Sequence, residues 1–234
     1  MNTTTPAADG ATLAALAATR RTLHGIAEHI VSAHGRRSGG TIRLLVTMRG
    51  FENPPAGADM LALADGVLER RPGGPSVPLT QVDTIGGLAD AVGVPFGMPD
   101  PPYRLNSGCG PDDPVIIDVT AMATLVDAWA IGAQALRIVA ARYELDQPEP
   151  ALWPEHFDVG LAVGEINLGV SPGDEFCPEP YAYVTPWTPR SGALWNAPFG
   201  ALRELRALPD VDAVVEYFEL GLRTAATDPV RPGD

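Results

Sequence analysis

The sequence around position 155 brings together the residue types that acid/base chemistry requires. Glu155 precedes His156, and Asp158 follows two residues later. Because alternate side chains of a strand face the same way, a strand here would place His156 and Asp158 on one face, with Glu155 on the other. A carboxylate beside an imidazole fixes its tautomer and favours its protonation. The spacing therefore predicts a catalytic site at His156, Asp158 and Glu155, and purely local hydrogen bonding of His156 is the alternative.

Aromatic residues precede and follow this segment at spacings that suit a binding wall. Trp153 lies just before it, and Tyr181, Tyr183 and Trp187 fall on one face of a later predicted strand. Aromatic rings with hydroxyl groups line many small-molecule pockets. We predict that these four residues bind a ligand. Ordinary sheet packing is the alternative, since aromatic residues favour strands.

The remaining histidines lie in the first amphipathic segment. His24 and Glu28 are four residues apart and therefore adjacent on a helix, at the edge of the apolar stripe, while His29 is expected to face solvent. A metal site would need a further ligand from elsewhere, such as His156 or Asp158. The alternative is a side-chain pair on the helix edge. We predict no metal site here, and a divalent metal at His24 and Glu28 remains the alternative.

Several motifs that announce a cofactor are absent. The chain contains no Gly-x-Gly-x-x-Gly, no Gly-x-x-x-x-Gly-Lys, no Gly-x-Ser-x-Gly and no Cys-x-x-Cys. It also contains no lysine, which excludes a Schiff-base or phosphate-loop lysine. No cofactor is therefore predicted. Cys109 and Cys177 are the two cysteines and cannot form a disulfide framework, so reduced thiols are expected, although one bridge is possible.

The charge balance limits the partners. With 16 basic and 29 acidic side chains the net charge is −13, which disfavours nucleic acid and anionic membranes. Carboxylates gather at residues 155–158 and 174–179. A site there would favour a neutral or cationic small molecule. No export signal and no run of about 18 apolar residues is seen, so a cytoplasmic protein is expected.

Hydrophobic periodicity and turn residues predict the elements. Helices are predicted over residues 11–35, 79–92, 122–143 and from 210, and strands over 41–48, 60–70, 115–119, 152–158, 158–170 and 181–185. Asp65-Gly66 and Gly164-Glu165 suit two-residue hairpin turns. Residues 93–113 hold so much Pro and Gly that a long functional loop is expected.

The order of these elements indicates the fold class. Strands are grouped between helices rather than alternating with them, which favours α+β over a doubly wound sheet. We predict an antiparallel sheet of hairpins packed against three to four helices. The expected organisation is a flexible N-terminus over residues 1–9, a single domain over 10–226 and a flexible tail over 227–234.

The last third of the chain carries a resemblance. The run LWPEHFDVGLAVGEINLGVSPGDEFCPEPYAYVTPW from Leu152, followed by ALWNAPFG at 193–200, resembles a signature of an uncharacterised actinobacterial protein family. It is more loosely similar to a broader domain-of-unknown-function family. The positions that carry this likeness are Trp153, Pro154, His156, Phe157, Asp158, Pro178, Glu179, Pro180 and Tyr181. The resemblance implies no catalytic residue.

Together these features predict a small-molecule enzyme of hydrolase or isomerase type with an acid/base site at His156 and Asp158. Two other functions remain open. One is a non-catalytic binding module with an aromatic pocket. The other is an acidic module that binds a basic protein partner. The oligomeric state is not indicated by the sequence.

Overall fold

The computed structural model describes residues 8–55 and 59–231. Its helices are α1 (Gly10–Ile26), a π-helical turn (Ala27–Val31) that continues directly into α2 (Ser32–Gly39), α3 (Ile85–Val92), α4 (Val119–Arg142) and α5 (Val211–Thr227). Short 3-10 turns cover Leu79–Gln81 and Leu205–Ala207. With two antiparallel sheets beside these helices, the α+β prediction is confirmed.

The strands form two five-stranded antiparallel sheets. The first sheet has the order β1-β2-β3-β4-β5 and the second the order β10-β9-β8-β7-β6. The strands are β1 (Leu45–Thr47), β2 (Gly50–Glu52), β3 (Met60–Ala64), β4 (Val67–Arg71), β5 (Ser76–Pro78), β6 (Ala151–Trp153), β7 (Asp158–Val163), β8 (Ile166–Ser171), β9 (Tyr181–Pro186) and β10 (Ala201–Glu204).

Local turn chemistry sets the hairpins that the sequence predicts. Asp65 and Gly66 both have positive φ, at 49° and 75°, and join β3 to β4. Gly164, with φ of 56°, begins the two-residue turn between β7 and β8. Both turns match the twist of paired strands, because the two-residue turns that need positive φ suit it best. The two predicted hairpins are confirmed.

Several predicted strands are shorter or absent. The strand expected over 41–48 is only β1, and Met48 lies in a turn with 78% of its surface exposed. Gly50 starts β2 instead of ending a strand. No strand forms over 115–119, where α4 begins at its last residue. Pairing between distant segments, which local periodicity does not encode, decides these boundaries.

Two of the predicted helix starts have side-chain caps, while the first helix continues to Gly39 and α4 begins at Val119 rather than at 122. The Asp9 carboxylate accepts a hydrogen bond from the Thr12 amide at 2.8 Å, and that of Asp210 accepts one from Ala213 at 2.9 Å. Such caps satisfy amides that the helix leaves free. The helix predicted over 79–92 is α3 alone, capped by Thr84, because residues 79–81 form a 3-10 turn.

The chain divides into two compact units. Among the described residues, the first unit contains 9–55, 59–127 and 151–157, and the second contains Ala8, 128–150 and 158–231. Within the first unit, α1 packs against α3. The prediction of one domain over 10–226 stays a prediction.

Close approaches at glycines order the second unit. A side chain at Gly132 of α4 would lie 2.7 Å from Val170 of β8, and one at Gly221 of α5 would lie 2.6 Å from Val184 of β9. Both helices therefore lie directly on the sheet. The described part of the predicted tail is hydrogen bonded, since the Arg231 amide donates to the Pro189 carbonyl at 2.8 Å. The rest of both predicted flexible ends, residues 1–7 and 232–234, lies outside the described residues.

One helix in the described part of the chain, α4, is long and apolar enough to cross a membrane by length and composition. Half of its most apolar stretch is buried within the structure. The central helix of a soluble protein has the same properties, so this feature is compatible with a soluble protein.

Candidate functional site

A π-helical turn interrupts the first helix and buries its polar residues. All five residues of Ala27–Val31 are buried, among them Glu28 and His29. A π turn adds a residue to the helical repeat, and such insertions are frequent at functional sites. The prediction that His29 faces solvent is therefore wrong. The insertion and the long loop that covers this helix, the strap (residues 93–118), remove His29 from water.

Glu28 fixes the strap to the helix. Its side chain is fully buried, and its Oε1 accepts a hydrogen bond from the Asn106 amide at 3.0 Å. Its Oε2 accepts bonds from the Ser107 amide at 3.1 Å and the Ser107 hydroxyl at 2.5 Å. A buried carboxylate is tolerated only when donors replace its hydration. The strap supplies these donors.

Ser107 is the centre of the cluster. Its hydroxyl donates to Glu28 and lies 3.1 Å from Nε2 of His29 and 3.3 Å from the Cys109 amide. A hydroxyl has one proton to donate and can accept two bonds. Because the proton goes to the carboxylate, both other contacts must donate to Ser107. Nε2 of His29 therefore carries the hydrogen.

This assignment leaves Nδ1 of His29 as a bare acceptor. Nδ1 is buried and has no hydrogen-bond partner among the described residues. Burial lowers the pKa of His29, and the Glu28 charge at 3.4 Å from Nε2 and a backbone hydrogen bond of Cys109 oppose this only in part, so the neutral imidazole is favoured at pH 7. Phe96 stacks on the ring with centroids 4.7 Å apart. A neutral imidazole with a free nitrogen is a base.

Two further groups of the strap adjoin Glu28 and His29. Burial, followed by the Glu28 charge, raises the pKa of the Tyr103 phenol, which keeps this hydroxyl protonated. The Cys109 thiol lies against the helix, where a side chain at Gly25 would be 2.8 Å from Sγ. Burial also raises the pKa of Cys109, which disfavours a reactive thiolate.

The helix and strap also hold the turn that contains the predicted catalytic residues. His24 Nε2 lies 2.6 Å from the Pro154 carbonyl and therefore donates to it, and its ring stacks on Phe157 at 4.9 Å. Burial lowers the pKa of His24. The Asn106 side chain donates to the Glu155 carbonyl at 3.1 Å. Asn106 thus links this turn to Glu28.

The predicted acid/base residues do not lie in one strand. β6 ends at Trp153, residues 154–157 form a turn in which Phe157 has φ of 58°, and β7 begins at Asp158. The strand predicted across this segment is therefore wrong, because the left-handed residue reverses the chain direction. The His156 side chain is 67% exposed, with Nε2 3.9 Å from a Glu155 oxygen. The catalytic role of His156, Glu155 and Asp158 stays a prediction.

Asp158 is buried and accepts a hydrogen bond from the Tyr183 hydroxyl. Tyr183 reaches it across a shelf of Gly160 and Gly169, which are paired between β7 and β8. Burial and the Asp158 charge raise the pKa of Tyr183 well above its ordinary value. This arrangement serves packing and leaves no free phenol.

The other predicted binding residues are placed as follows. The Tyr181 hydroxyl donates to Asp174 at 2.6 Å, and burial raises its pKa. Trp187 lies just past β9 with its ring exposed, and its indole donates to Asn167 at 3.1 Å. Trp153 is partly exposed with the Arg43 guanidinium 5.9 Å from its ring centroid. Their role in ligand binding stays a prediction.

At His24 and Glu28, the alternative of a metal site competes with existing hydrogen bonds. The described hydrogen bonds occupy His24 Nε2 and both oxygens of Glu28. Within residues 8–55 and 59–231, no group of three or more His, Cys, Asp or Glu side chains is placed to hold a metal ion. Both cysteines are free thiols.

Sequence patterns pointed to the strap but not to its contacts. The unusual length of the Pro- and Gly-rich loop drew attention to this segment, and a functional role for it stays a prediction. Ser107, Asn106 and Tyr103 were not identified, because 79 residues separate Ser107 from Glu28. The buried state of His29 was also missed, since an uninterrupted helix places it on the outer face.

Comparison with protein-family models, curated proteins and solved structures finds no match for this chain.

Proposed function

We propose that the protein is a small-molecule enzyme of acid/base type, in which Glu28, Ser107 and His29 act as a proton relay. The observation that carries this proposal is the unpartnered Nδ1 of the buried, neutral His29. Buried polar atoms are nearly always hydrogen bonded, and Nδ1 of His29 is one of six exceptions among the described residues. We base the proposal on this atom because the other ring nitrogen of His29 contacts both Ser107 and Glu28. The relay replaces His156 and Asp158 as the preferred acid/base site.

The relay moves a proton without creating a buried imidazolium. When Nδ1 of His29 takes a proton from a substrate, Nε2 releases its proton to Ser107, and the Ser107 hydroxyl releases its own to Glu28. The imidazole and the hydroxyl end neutral, while the negative charge passes from the carboxylate to the substrate. This route avoids the cost of charging His29 away from water.

A serine-protease type of mechanism is disfavoured by the order of the groups. In that mechanism the carboxylate lies at Nδ1 and the serine at Nε2. Here Glu28 and Ser107 both lie at Nε2, with Oε2 and Oγ at 3.4 and 3.1 Å. Ser107 also donates to Glu28 and is not free to attack. We therefore propose general-base catalysis, as in an isomerase or in water-activated hydrolysis.

The charge around the relay restricts the substrate. A fully buried carboxylate next to the base repels an anion in a medium of low polarity. We propose a neutral or cationic small molecule with a hydroxyl, amine or acidic C–H donor. The chain's acidity and the free thiols fit a cytoplasmic protein. Kinship with the actinobacterial family that the sequence resembles is likewise a proposal.

Nitrogen-15 NMR of the imidazoles tests the state of the relay directly. We expect His29 to carry its proton on Nε2 from pH 6.5 to 8. A proton on Nδ1 would overturn the relay, because Nδ1 could not then accept one from a substrate. The comparison variant Ser107→Ala removes the hydroxyl and is expected to abolish the preference for this tautomer.

Two probe reactions test the activity. Hydrolysis of p-nitrophenyl acetate and deuterium exchange of dihydroxyacetone in D2O report on the two reaction types. We expect His29→Gln to reduce turnover by about 100-fold or more and His156→Gln to leave it unchanged. The reverse outcome would restore His156 as the base. Absence of turnover of both probes would reject the enzyme proposal and favour a binding module.

A further inference from the structure

We infer that residues 97–109 of the strap form a gate that opens to admit the substrate and closes to complete the relay. This inference rests on the proposed function for its purpose. The gate carries Tyr103, Ser107 and Cys109, and it covers Glu28 and His29. In the closed structure Glu28 is fully buried, and His29 and Ser107 are nearly so. A substrate therefore requires movement of this segment to reach Nδ1.

Two arginines hold the two ends of the gate, Arg37 of α2 at one end and Arg21 of α1 at the other. Arg37 donates to the carbonyls of Pro95 and Gly97. Arg21 donates to the carbonyl of Gly108 at 2.7 Å and pairs with Asp113 at 3.1 Å. Both guanidinium groups are solvent accessible, so these bonds are weaker than buried ones and can be exchanged for water.

The carbonyls that the two arginines bind include those of two glycines, Gly97 and Gly108. Gly97 and Gly108 have φ of 90° and 63°, which other residues rarely adopt. Nothing lies within 4 Å of the position of a side chain at either glycine. No contact at that position restrains either glycine, and the Gly97 amide donates to the His29 carbonyl at 2.9 Å. Hinges are a few loop positions that absorb backbone rotation, and these two positions meet that requirement.

The hydrogen bonds between the gate and Glu28 explain why the relay requires the closed gate. The amides of Asn106 and Ser107 and the Ser107 hydroxyl all bind Glu28. Opening removes Ser107 from both Glu28 and His29 and interrupts the relay. Closing over a bound substrate restores the relay and excludes water, as lids do in many enzymes.

Replacement of Arg37 tests the gate without touching the relay. The matched control is Arg36→Ala, since Arg36 is the preceding residue, has the same charge and donates to the Gly40 carbonyl instead. Hydrogen exchange at the amides of Asn106 and Ser107 reports opening directly. We expect both amides to exchange about threefold to tenfold faster in Arg37→Ala than in Arg36→Ala.

Thiol labelling with a small disulfide reagent gives a second readout. Cys109 lies at the end of the gate with its thiol against Gly25, and Cys177 lies in the second unit as an internal reference. We expect Arg37→Ala to accelerate labelling of Cys109 while that of Cys177 stays constant. Equal rates in both arginine variants, or a joint rise of Cys109 and Cys177, would overturn the gate. Neither readout depends on turnover or on the His29 tautomer, so a failed gate and a failed relay are distinguishable.

Discussion

The Ser107 hydroxyl donates to Oε2 of Glu28 at 2.5 Å, although 79 residues separate the two in the chain. The Ser107 amide donates to the same carboxylate oxygen at 3.1 Å. These bonds join a loop without regular structure to a π-helical turn.

Removal of the Glu28 carboxylate should destabilise the first unit. Glu28→Ala leaves the amides of Asn106 and of the buried Ser107 without an acceptor, and we expect a loss of about 3 kcal/mol. Glu28→Gln keeps one acceptor oxygen and should cost about half as much. Urea denaturation measures both values, with the turn residue Glu165→Gln of the second unit as control. An Ala variant as stable as the control would show that Glu28 does not hold the strap.

Stability should fall as the pH is lowered through the range where free histidine titrates. Burial lowers the pKa of His24 and of His29 below the unfolded value near 6.5. The unfolded chain therefore binds more protons than the folded chain, and the free energy of unfolding rises with pH. The stability is present above about pH 6.5 and is lost below it.

Each of these histidines can contribute a slope of at most about 1.4 kcal/mol per pH unit. Denaturation at intervals from pH 5 to 8 measures this slope. His29→Gln should flatten it. A wild-type stability that does not vary over this range would contradict the burial of both imidazoles as neutral groups.

The glycine shelf in the second unit gives a prediction of relative cost. A side chain at Gly169 would lie 2.4 Å from the Tyr183 hydroxyl, and one at Gly160 would lie 3.1 Å from it. Gly169→Ala must displace Tyr183 from Asp158 and should cost about 3 kcal/mol, against about 1 kcal/mol for Gly160→Ala. Equal costs by chemical denaturation would mean that Tyr183 does not rest on this shelf.

Chelation should not change the melting temperature. Nε2 of His24 donates to the Pro154 carbonyl, and both oxygens of Glu28 accept hydrogen bonds from the strap. We expect equal melting temperatures with and without EDTA, measured by circular dichroism. A fall of several degrees, restored by zinc but not by magnesium, would instead support a metal at these residues.

Sequence patterns predicted the local features of the fold because short-range geometry decides them. The helices predicted from residues 11 and 210 begin close to those positions, since the carboxylates of Asp9 and Asp210 each bind an amide three residues later. Asp65-Gly66 was identified as a hairpin turn, since few residue pairs accept positive φ at both positions. These features need no information from the rest of the chain.

Only the tertiary structure determined the site. The alternation of a strand led to the selection of His156 and Asp158. A turn at 154–157 instead interrupts the strand expected there, so that β6 ends at Trp153 and β7 begins at Asp158. The pairing of Glu28 with Ser107 and His29 depends on a π-helical turn and on where a 26-residue strap crosses it. Burial gives these side chains their chemistry, because loss of water neutralises His29 and leaves its Nδ1 free. No local pattern encodes that loss of water.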